Sequence, residues 1–234
     1  MRTIFTSLII IALFITGCKK NSNSKSNIAK TYLISKVTIS TIPAGFTTTE
    51  SYTYDSQNRV IQFGNYKYTY DNNNNLITVQ TYSNGSLIAT DNYSYSGSTV
   101  TANTFDGDGT ANGSYTFTLN AQQQVISLSA DDQQFTYDSN GNVTSYTANG
   151  TLKQSDSYTY DKEKSPRSMI GAKNLHMIYL AQGAPVTNIN NVLVDHIYPV
   201  TYTYNYNSDG FPVSATESTN SGPSSNITYE YIVK

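Results

Sequence analysis

The sequence predicts an all-β fold: a strongly curled antiparallel meander of hairpins, arranged as a barrel or a half-barrel. The first observation is a repeated motif, Tyr-Thr-Tyr-Asp, followed by four polar residues and an aliphatic one, at residues 52–60 and 68–76 and, with Phe in first place, at 135–143. The second is composition, because 21 of the 234 residues are Tyr and none is Trp. The third is the number of predicted strands, roughly fifteen, which is more than a flat sheet tolerates without curling.

Each copy of the motif has the alternation of a strand that ends in a turn. The rings of Tyr52 and Tyr54 fall on one face and Thr53 on the other, and aromatic and β-branched residues suit a pleated, half-buried surface. Asp55 opens a turn, because its short side chain accepts a hydrogen bond from the backbone N–H two residues on. Val60 then begins the return strand, so that one repeat is a β-hairpin.

Tighter turns join the repeats, and Asn84-Gly85 is a strong two-residue turn signal. This turn pairs Ser83 with Ser86 in the predicted register, and one face of the two strands then carries Leu76, Tyr82, Leu87, Tyr93 and Tyr95.

Two further turn signals follow the same reasoning. Asn149-Gly150 predicts a two-residue loop that places Val143, Leu152, Tyr158 and Tyr160 together. Gly64-Asn65 leaves the register open, because a two-residue loop aligns Ile61 and Phe63 with the tyrosines and a three-residue loop aligns Val60.

Composition and charge limit the class of protein. Hydrophobic residues make up 38% and charged residues 13% of the chain, so the core must be built largely from tyrosine, whose hydroxyls need partners or water. The regular alternation argues against disorder. A net charge of −2 provides no basic field for nucleic acid, so a nucleic-acid partner is not expected.

The first residues have the pattern of a targeting segment. Arg2 precedes an apolar run, residues 4–14, that is too short for a membrane span. The sequence Ile-Thr-Gly-Cys at 15–18 resembles the lipobox of bacterial lipoprotein signal peptides, and Cys18 is the chain's single cysteine. The resemblance implies cleavage before Cys18 and acylation of that residue, which would anchor the protein to a membrane. An ordinary signal peptide with an incidental cysteine is the alternative.

These observations divide the chain into three parts. Residues 1–17 are predicted to be the lipoprotein signal peptide, residues 18–30 the lipidated Cys18 and a flexible tether, and residues 31–234 a single β-repeat domain. An irregular insertion at about 162–200 interrupts the repeats and is expected to pack across an end or the concave side of the sheet. No cofactor is predicted.

Two longer resemblances follow from these motifs. Residues 135–143, which read Phe-Thr-Tyr-Asp-Ser-Asn-Gly-Asn-Val, resemble the YD repeat of Rhs and teneurin-like shells. Residues 30–234 resemble a family of Bacteroidetes-type envelope lipoproteins with a porin-like β fold, through the lipobox, the Tyr-rich repeats and the late motif at 204–212. This resemblance implies a fold and a place in the cell envelope, with no attached activity and no site residues. Lysines rather than acids follow Cys18, and in such lipoproteins this favours an outer-membrane protein that faces the periplasm over a surface-exposed one.

A hydrolase is the least favoured hypothesis. His176 and His196 are the only imidazoles, and Asp195 precedes one of them. Adjacent residues of a strand point to opposite faces, and the chain has no Gly-x-Ser-x-Gly nucleophile motif. No catalytic residue is therefore assigned, and the protein is predicted not to be an enzyme.

Two loops place oxygen ligands at alternate positions, as calcium loops do: Asp106-x-Asp108 and Asp138-x-Asn140-x-Asn142. Neither has the later bidentate acid of a complete calcium loop. Asp and Asn near Gly are also what an ordinary hairpin turn uses. The turn interpretation is favoured, and no metal site is predicted.

Rows of tyrosine at alternate strand positions are the remaining candidate for a site. Tyr66, Tyr68 and Tyr70 form one such row, which would offer sugar rings a stacking surface, although a core of tyrosines is the favoured alternative. The leading hypothesis is a non-enzymatic, membrane-anchored envelope lipoprotein that binds a glycan or small ligand on a concave tyrosine face near 162–200. The other is a structural or assembly partner of an outer-membrane complex, through an open sheet edge.

Overall fold

The strands pair in chain order and the last pairs with the first, so the sheet closes into a barrel. The computed structural model describes residues 30–151, 153–170, 189–197, 199–220, 222 and 224–234. Every pairing between its strands is antiparallel, with one 3₁₀ turn at Ala130–Asp132 between two of them. The predicted all-β meander of hairpins is confirmed, and its curvature is that of a closed barrel rather than a half-barrel.

Sixteen strands lie within the described residues, against about fifteen expected. They are β1 (Tyr32–Ile42), β2 (Thr47–Tyr54), β3 (Val60–Phe63), β4 (Tyr66–Tyr70), β5 (Leu76–Ser83), β6 (Ser86–Ser96), β7 (Thr99–Asp106), β8 (Ala111–Leu119), β9 (Val125–Leu128), β10 (Gln133–Tyr137), β11 (Val143–Ala148), β12 (Gln154–Lys164), β13 (Asn190–Asp195), β14 (Val200–Tyr206), β15 (Pro212–Thr219) and β16 (Ser224–Val233).

The two ends of the barrel carry different loops. At one end, which we call the Asx rim, an Asp or Asn accepts main-chain hydrogen bonds from the residues two and four positions on, as Asp55 does from Gln57 and Arg59. The same arrangement recurs at Asp71, Asn120, Asp138 and Asn207. The predicted turn chemistry is therefore confirmed at every one of these loops. The opposite end, the hairpin rim, carries tight turns such as Asn84-Gly85.

Side chains alternate between the inside and the outside of the barrel, as period-two sequences require. On β4, Tyr68 is buried while Lys67 and Thr69 are exposed, and on β2 the buried Tyr52 precedes the exposed Thr53. The buried rings and aliphatic side chains from successive strands form one hydrophobic cluster. The tyrosine-rich face is thus the core of the barrel.

A β-bulge follows the first aliphatic residue of several strands. Tyr54 pairs with Val60 but Thr53 pairs with Gln62, which leaves Ile61 as the extra residue. The corresponding extra residues elsewhere are Ile77, Ile126, Thr144 and Val213. A bulge reverses the in–out parity beyond it, so Val60 and Phe63 are both buried although they are three positions apart.

The bulges correct part of the predicted register. Ser83 pairs with Ser86, as predicted, but the shared face is wrong. The extra residue Ile77 turns Tyr82 outward, where its ring lies 4.6 Å from the Lys67 ammonium group. The extra residue Ile88 likewise turns Leu87, the partner of Tyr82, away from the face that carries Tyr93.

At Gly64-Asn65 the structure has the two-residue loop, because Phe63 pairs with Tyr66. Around Asn149-Gly150 the prediction is wrong, because Ala148 pairs with Gln154 and leaves a five-residue loop. Asp131 holds this wider loop: its carbonyl accepts the Gly150 N–H at 3.0 Å, and its carboxylate accepts the next N–H. Leu152 lies outside the described residues.

The start of the predicted insertion turns back against the interior of the barrel. After β12, Ser165 is buried and donates its N–H to the Ile189 carbonyl at 2.9 Å, and Ile170 packs on the core cluster. Arg167, from the same segment, reaches Tyr52 on β2. Residues 171–188 lie outside the described part of the chain.

Candidate functional site

The second tyrosine of the Tyr-x-Tyr motif has a repeated structural role. In seven of the hairpins its hydroxyl donates to the main-chain carbonyl of a residue near the start of the preceding strand, over 2.5–3.0 Å. The pairs are Tyr54 with Ile34, Tyr70 with Val60, Tyr95 with Leu76, Tyr137 with Val125, Tyr160 with Val143, Tyr204 with Val192 and Tyr231 with Pro212. In the β7–β8 hairpin the buried Leu119 occupies this position. We call these seven contacts the hydroxyl series.

The predicted ligand row of Tyr66, Tyr68 and Tyr70 belongs to this interior. Tyr68 is 4% exposed, and the other two rings are half-buried against the core cluster. Burial raises the pKa of Tyr70 above its usual value, despite the nearby Arg59 cation. The geometry shows the three rings packed in the core, and ligand binding by them remains a prediction.

The β9–β10 hairpin contains a cleft that opens toward the Asx rim. Its strands share only two residue pairs, Gln133 with Leu128 and Gln134 with Ser127, and then diverge. The Tyr137 hydroxyl bridges the gap at 2.6 Å from the Val125 carbonyl. The resulting cleft has a volume of about 600 Å³. Its lining includes Gln122, Gln124, Phe135, Tyr137, Asp138 and Asn140.

Amides and one carboxylate give the cleft its polarity. No Lys or Arg is among its lining residues, and the exposed side-chain amides of Gln122 and Asn140 have no hydrogen-bond partner within the described residues. Partial burial alone would raise the pKa of Asp138, but hydrogen bonds from Asn142, Asn140 and Gly141 outweigh it and lower that pKa. The cleft therefore offers hydrogen-bond donors and acceptors, aromatic rings and one negative charge.

The β3–β4 hairpin is built in the same way, but its cleft is filled. It also has two residue pairs, Gln62 with Lys67 and Phe63 with Tyr66. The guanidinium group of Arg59 lies in the gap, 4.8 Å from the centroid of the Tyr70 ring. At the equivalent position of the β9–β10 hairpin the chain has Gln124, which is shorter and uncharged. The replacement of Arg59 by Gln124 at the same position of two repeats is the sequence difference that points to this site.

A second polar cluster links the insertion to the wall of the barrel. The Nε of Arg167 donates to the Tyr52 hydroxyl at 2.7 Å, and its Nη2 lies 3.2 Å from Oε2 of Glu50. The side chain of Arg167 is 18% exposed and that of Glu50 is 34% exposed, so this ion pair is partly shielded from water. It fastens the segment after β12 to β2 across the barrel.

The other chemical candidates occupy ordinary structural positions. The His196 N–H donates to the Ser157 carbonyl at 3.1 Å, and its imidazole makes no hydrogen bond to a described residue. His176 lies outside the described residues, so the absence of enzymatic activity remains a prediction. Among the described residues no three His, Cys, Asp or Glu side chains are grouped to hold a metal, and Asp138 accepts the turn hydrogen bonds of an Asx loop.

The predicted lipid anchor cannot be placed on this structure. Cys18, the signal peptide and the tether as far as residue 29 lie outside the described residues. In the part of the chain that is described, no helix combines the length and the apolar character that crossing a membrane requires.

Similarity to known proteins is confined to solved structures. No family model matches the chain, and no curated protein matches it. Among solved structures, a porin-like protein from Bacteroides uniformis ATCC 8492 is 14% identical with a TM-score of 0.39, over 86% of this chain and 98% of that one. The TcdB2-TccC3-Cdc42 structure is 16% identical with a TM-score of 0.21, over 80% of this chain and 10% of that one. At these values the barrel assignment rests on the strand pairing described above.

Proposed function

We propose that this protein is a non-enzymatic binding module for a glycan or another small polar ligand, held in the cell envelope by lipid on Cys18. The observation that carries the proposal is the cleft of about 600 Å³ between β9 and β10. Ligand sites in proteins are typically concave, with volumes of roughly 300–1,000 Å³ and a few well-placed polar groups. The cleft meets both conditions.

The walls of the cleft are held in place before any ligand arrives. The Tyr137 hydroxyl joins the two diverging strands, and Asx turns at Asn120 and Asp138 fix the loops on either side. A site formed in this way loses little conformational entropy on binding, which favours affinity. The amides of Gln122 and Asn140 provide both donors and acceptors, which suit the hydroxyl groups of a sugar.

The outer face of the barrel supports attachment by lipid. Polar residues such as Thr53, Lys67 and Glu230 are exposed at its wall among hydrophobic ones such as Ile88 and Ile126, whereas lipid-facing barrels carry a continuous apolar band on the outside. The lipobox at Cys18 supplies a covalent anchor instead. An outer-membrane location facing the periplasm follows from the lysines after Cys18 and is part of the proposal.

The alternative hypothesis, assembly with an outer-membrane complex through an open sheet edge, is less favoured. It required an open sheet edge, and each of the sixteen described strands has a neighbour on both sides. A partner that adds a strand along a complete open edge therefore finds no such edge among the described strands. The observations favour binding in the cleft over assembly through an edge.

The proposal is tested by screening the full-length protein, purified in detergent, against a glycan array and a library of small polar compounds. Replacing both Gln122 and Asn140 by Ala should weaken any captured ligand by about tenfold or more, because each lost hydrogen bond is worth about 1 kcal/mol. The matched control replaces two exposed amides elsewhere on the barrel, Gln62 and Asn226. Binding that survives the first double variant, or a screen with no ligand at all, would contradict the proposal.

A further inference from the structure

The β3–β4 and β9–β10 hairpins are structural copies of each other. In each, the strands share two residue pairs and then diverge, and a tyrosine hydroxyl spans the gap to the first residue of the shorter strand. Each shorter strand has its bulge at the second residue, Ile61 or Ile126. Each group that contacts an occupant of one cleft can therefore be compared with the residue at the same position in the other.

Arg59 shows what this geometry accommodates. Its Nε donates to Oδ2 of Asp55 at 2.6 Å, and its Nη1 lies 3.4 Å from the Asp71 carbonyl and 3.3 Å from Oδ1 of Asn74. The guanidinium carbon lies above the Tyr70 ring, in the range of a cation–π contact. The chain thus holds a planar cation between an aromatic face and the carbonyl of an Asx turn.

The β9–β10 cleft keeps two of these four groups, the tyrosine ring and the carbonyl of the Asx turn, and lacks the cation. Gly141 stands at the position of Asn74 and provides no side-chain oxygen. Tyr137 replaces Tyr70, and Asp138 replaces Asp71 with its main-chain carbonyl in the same turn. Asn120 and Gln124 replace the acid and the arginine, and the Asn120 amide donates to Oε1 of Gln124 at 2.7 Å. No aromatic or cationic side chain of the described residues stacks on the Tyr137 ring, which lines the open cleft.

We infer that the β9–β10 cleft binds a guanidinium group, stacked on Tyr137 and donating to the Asp138 carbonyl. The inference rests on the proposed function, because it names the ligand chemistry of the same site. A guanidinium group fits better than an ammonium group, since it is planar, stacks on rings and donates in two directions at once. The Asp138 carboxylate adds a favourable negative charge, which is hydrogen-bonded by Asn140 and Asn142 but has no Lys or Arg beside it among the lining residues.

The probes are N-acetyl-arginine amide, N-acetyl-lysine amide and a short peptide with one central arginine, titrated into the full-length protein in detergent. The arginine amide should bind about tenfold more tightly than the lysine amide, because stacking and the second hydrogen bond are lost with lysine. Binding of both arginine probes indicates that the guanidinium group suffices, and binding of the peptide alone indicates an arginine side chain within a polypeptide.

Two reciprocal double variants assign the binding to the cleft. Asn120→Asp with Gln124→Arg copies the filled cleft and should abolish binding of the arginine probe. Asp55→Asn with Arg59→Gln empties the other cleft and should raise the stoichiometry from one probe to two. Thermal unfolding of each variant verifies that the barrel still folds.

Equal affinity for arginine and lysine probes, or arginine binding that survives the filling variant, would overturn the inference. A sugar that binds wild type and is excluded by the filling variant, while arginine probes do not bind, would also overturn it and would leave the proposed function standing. If neither sugars nor guanidinium compounds bind in the cleft, both proposals fail.

Discussion

Removing single hydroxyl oxygens from the hydroxyl series should destabilise the barrel far more than removing an equivalent oxygen outside it. Tyr70, Tyr137 and Tyr231 each donate to a main-chain carbonyl at 2.6–2.7 Å. Tyr66 lies on the same strand as Tyr70 and is half-buried, but its hydroxyl has no hydrogen bond to a described residue. Replacement by Phe keeps the ring and its packing in every case, so the comparison isolates the hydrogen bond.

The magnitude follows from what each carbonyl loses. A hydrogen bond contributes about 0.5–1.5 kcal/mol net, and a buried group left without its partner costs about 1–3 kcal/mol. We therefore expect each Tyr→Phe change in the series to lower the free energy of unfolding by about 1–2 kcal/mol. The three residues lie at least four strands apart around the closed barrel, so the triple variant should lose about 3–6 kcal/mol, a large part of an ordinary stability of 5–15 kcal/mol.

Equilibrium unfolding in guanidinium chloride, followed by circular dichroism, measures these differences. The midpoint should fall while the slope of the transition stays unchanged, because the surface exposed on unfolding is the same. Tyr66→Phe is the matched control and should change the free energy of unfolding by less than about 0.5 kcal/mol. If Tyr70→Phe costs no more than Tyr66→Phe, the series does not stabilise the barrel and the reasoning is wrong.

Three further predictions concern the ionisation of the tyrosines, the Arg167 contacts and the lipid anchor. Burial raises the pKa of several tyrosines in the series, including Tyr70 and Tyr231. Their contribution to the free energy of unfolding is complete below pH 10 and is lost as the pH rises above it, because the tyrosines of the unfolded chain ionise first. Denaturation followed by circular dichroism should therefore record a stability loss of up to about 1.4 kcal/mol per pH unit for each such tyrosine. Arg167→Met should lower the free energy of unfolding by about 1–3 kcal/mol in the same denaturation assay, since it removes the donor to Glu50 and to the Tyr52 hydroxyl. Arg167→Lys should recover part of this loss. Equal losses for the Met and Lys variants would argue against a charge-dependent contact. Cys18→Ala should move the protein from the membrane pellet to the soluble fraction on ultracentrifugation, and a variant that remains in the pellet would contradict the lipid anchor.

The strand content and turn chemistry could be predicted because each depends on residues close together in the chain. Asp55 and Asp138 accept main-chain hydrogen bonds from residues two and four positions ahead, as their turn motifs indicate. The predicted two-residue loop at Asn149-Gly150 was wrong because this loop depends on a residue distant in the chain. Asp131, far upstream, accepts two of the loop's amide hydrogens, and no local pattern reports such a contact.

The bulges and the cleft were beyond local reasoning. Ile61 and Ile126 look like ordinary strand residues, and their extra place in the ladder arises because neighbouring strands must diverge and bend as the sheet closes. The cleft depends on what fills the gap between two strands. Arg59 fills one gap and Gln124 leaves the other open, a difference that becomes visible only when one repeat is compared with another.

The pairing of β1 with β16 makes the barrel a ring without a privileged first strand. The main chains of Thr31 and Lys234 are already hydrogen-bonded to each other, at 2.9 and 3.0 Å. A circular permutant that joins these two residues and begins at an exposed turn such as Asn84-Gly85 would keep every strand next to its present neighbours. Deletion of a terminal strand, by contrast, would open the barrel and leave two unpaired strands that can pair with strands from other molecules.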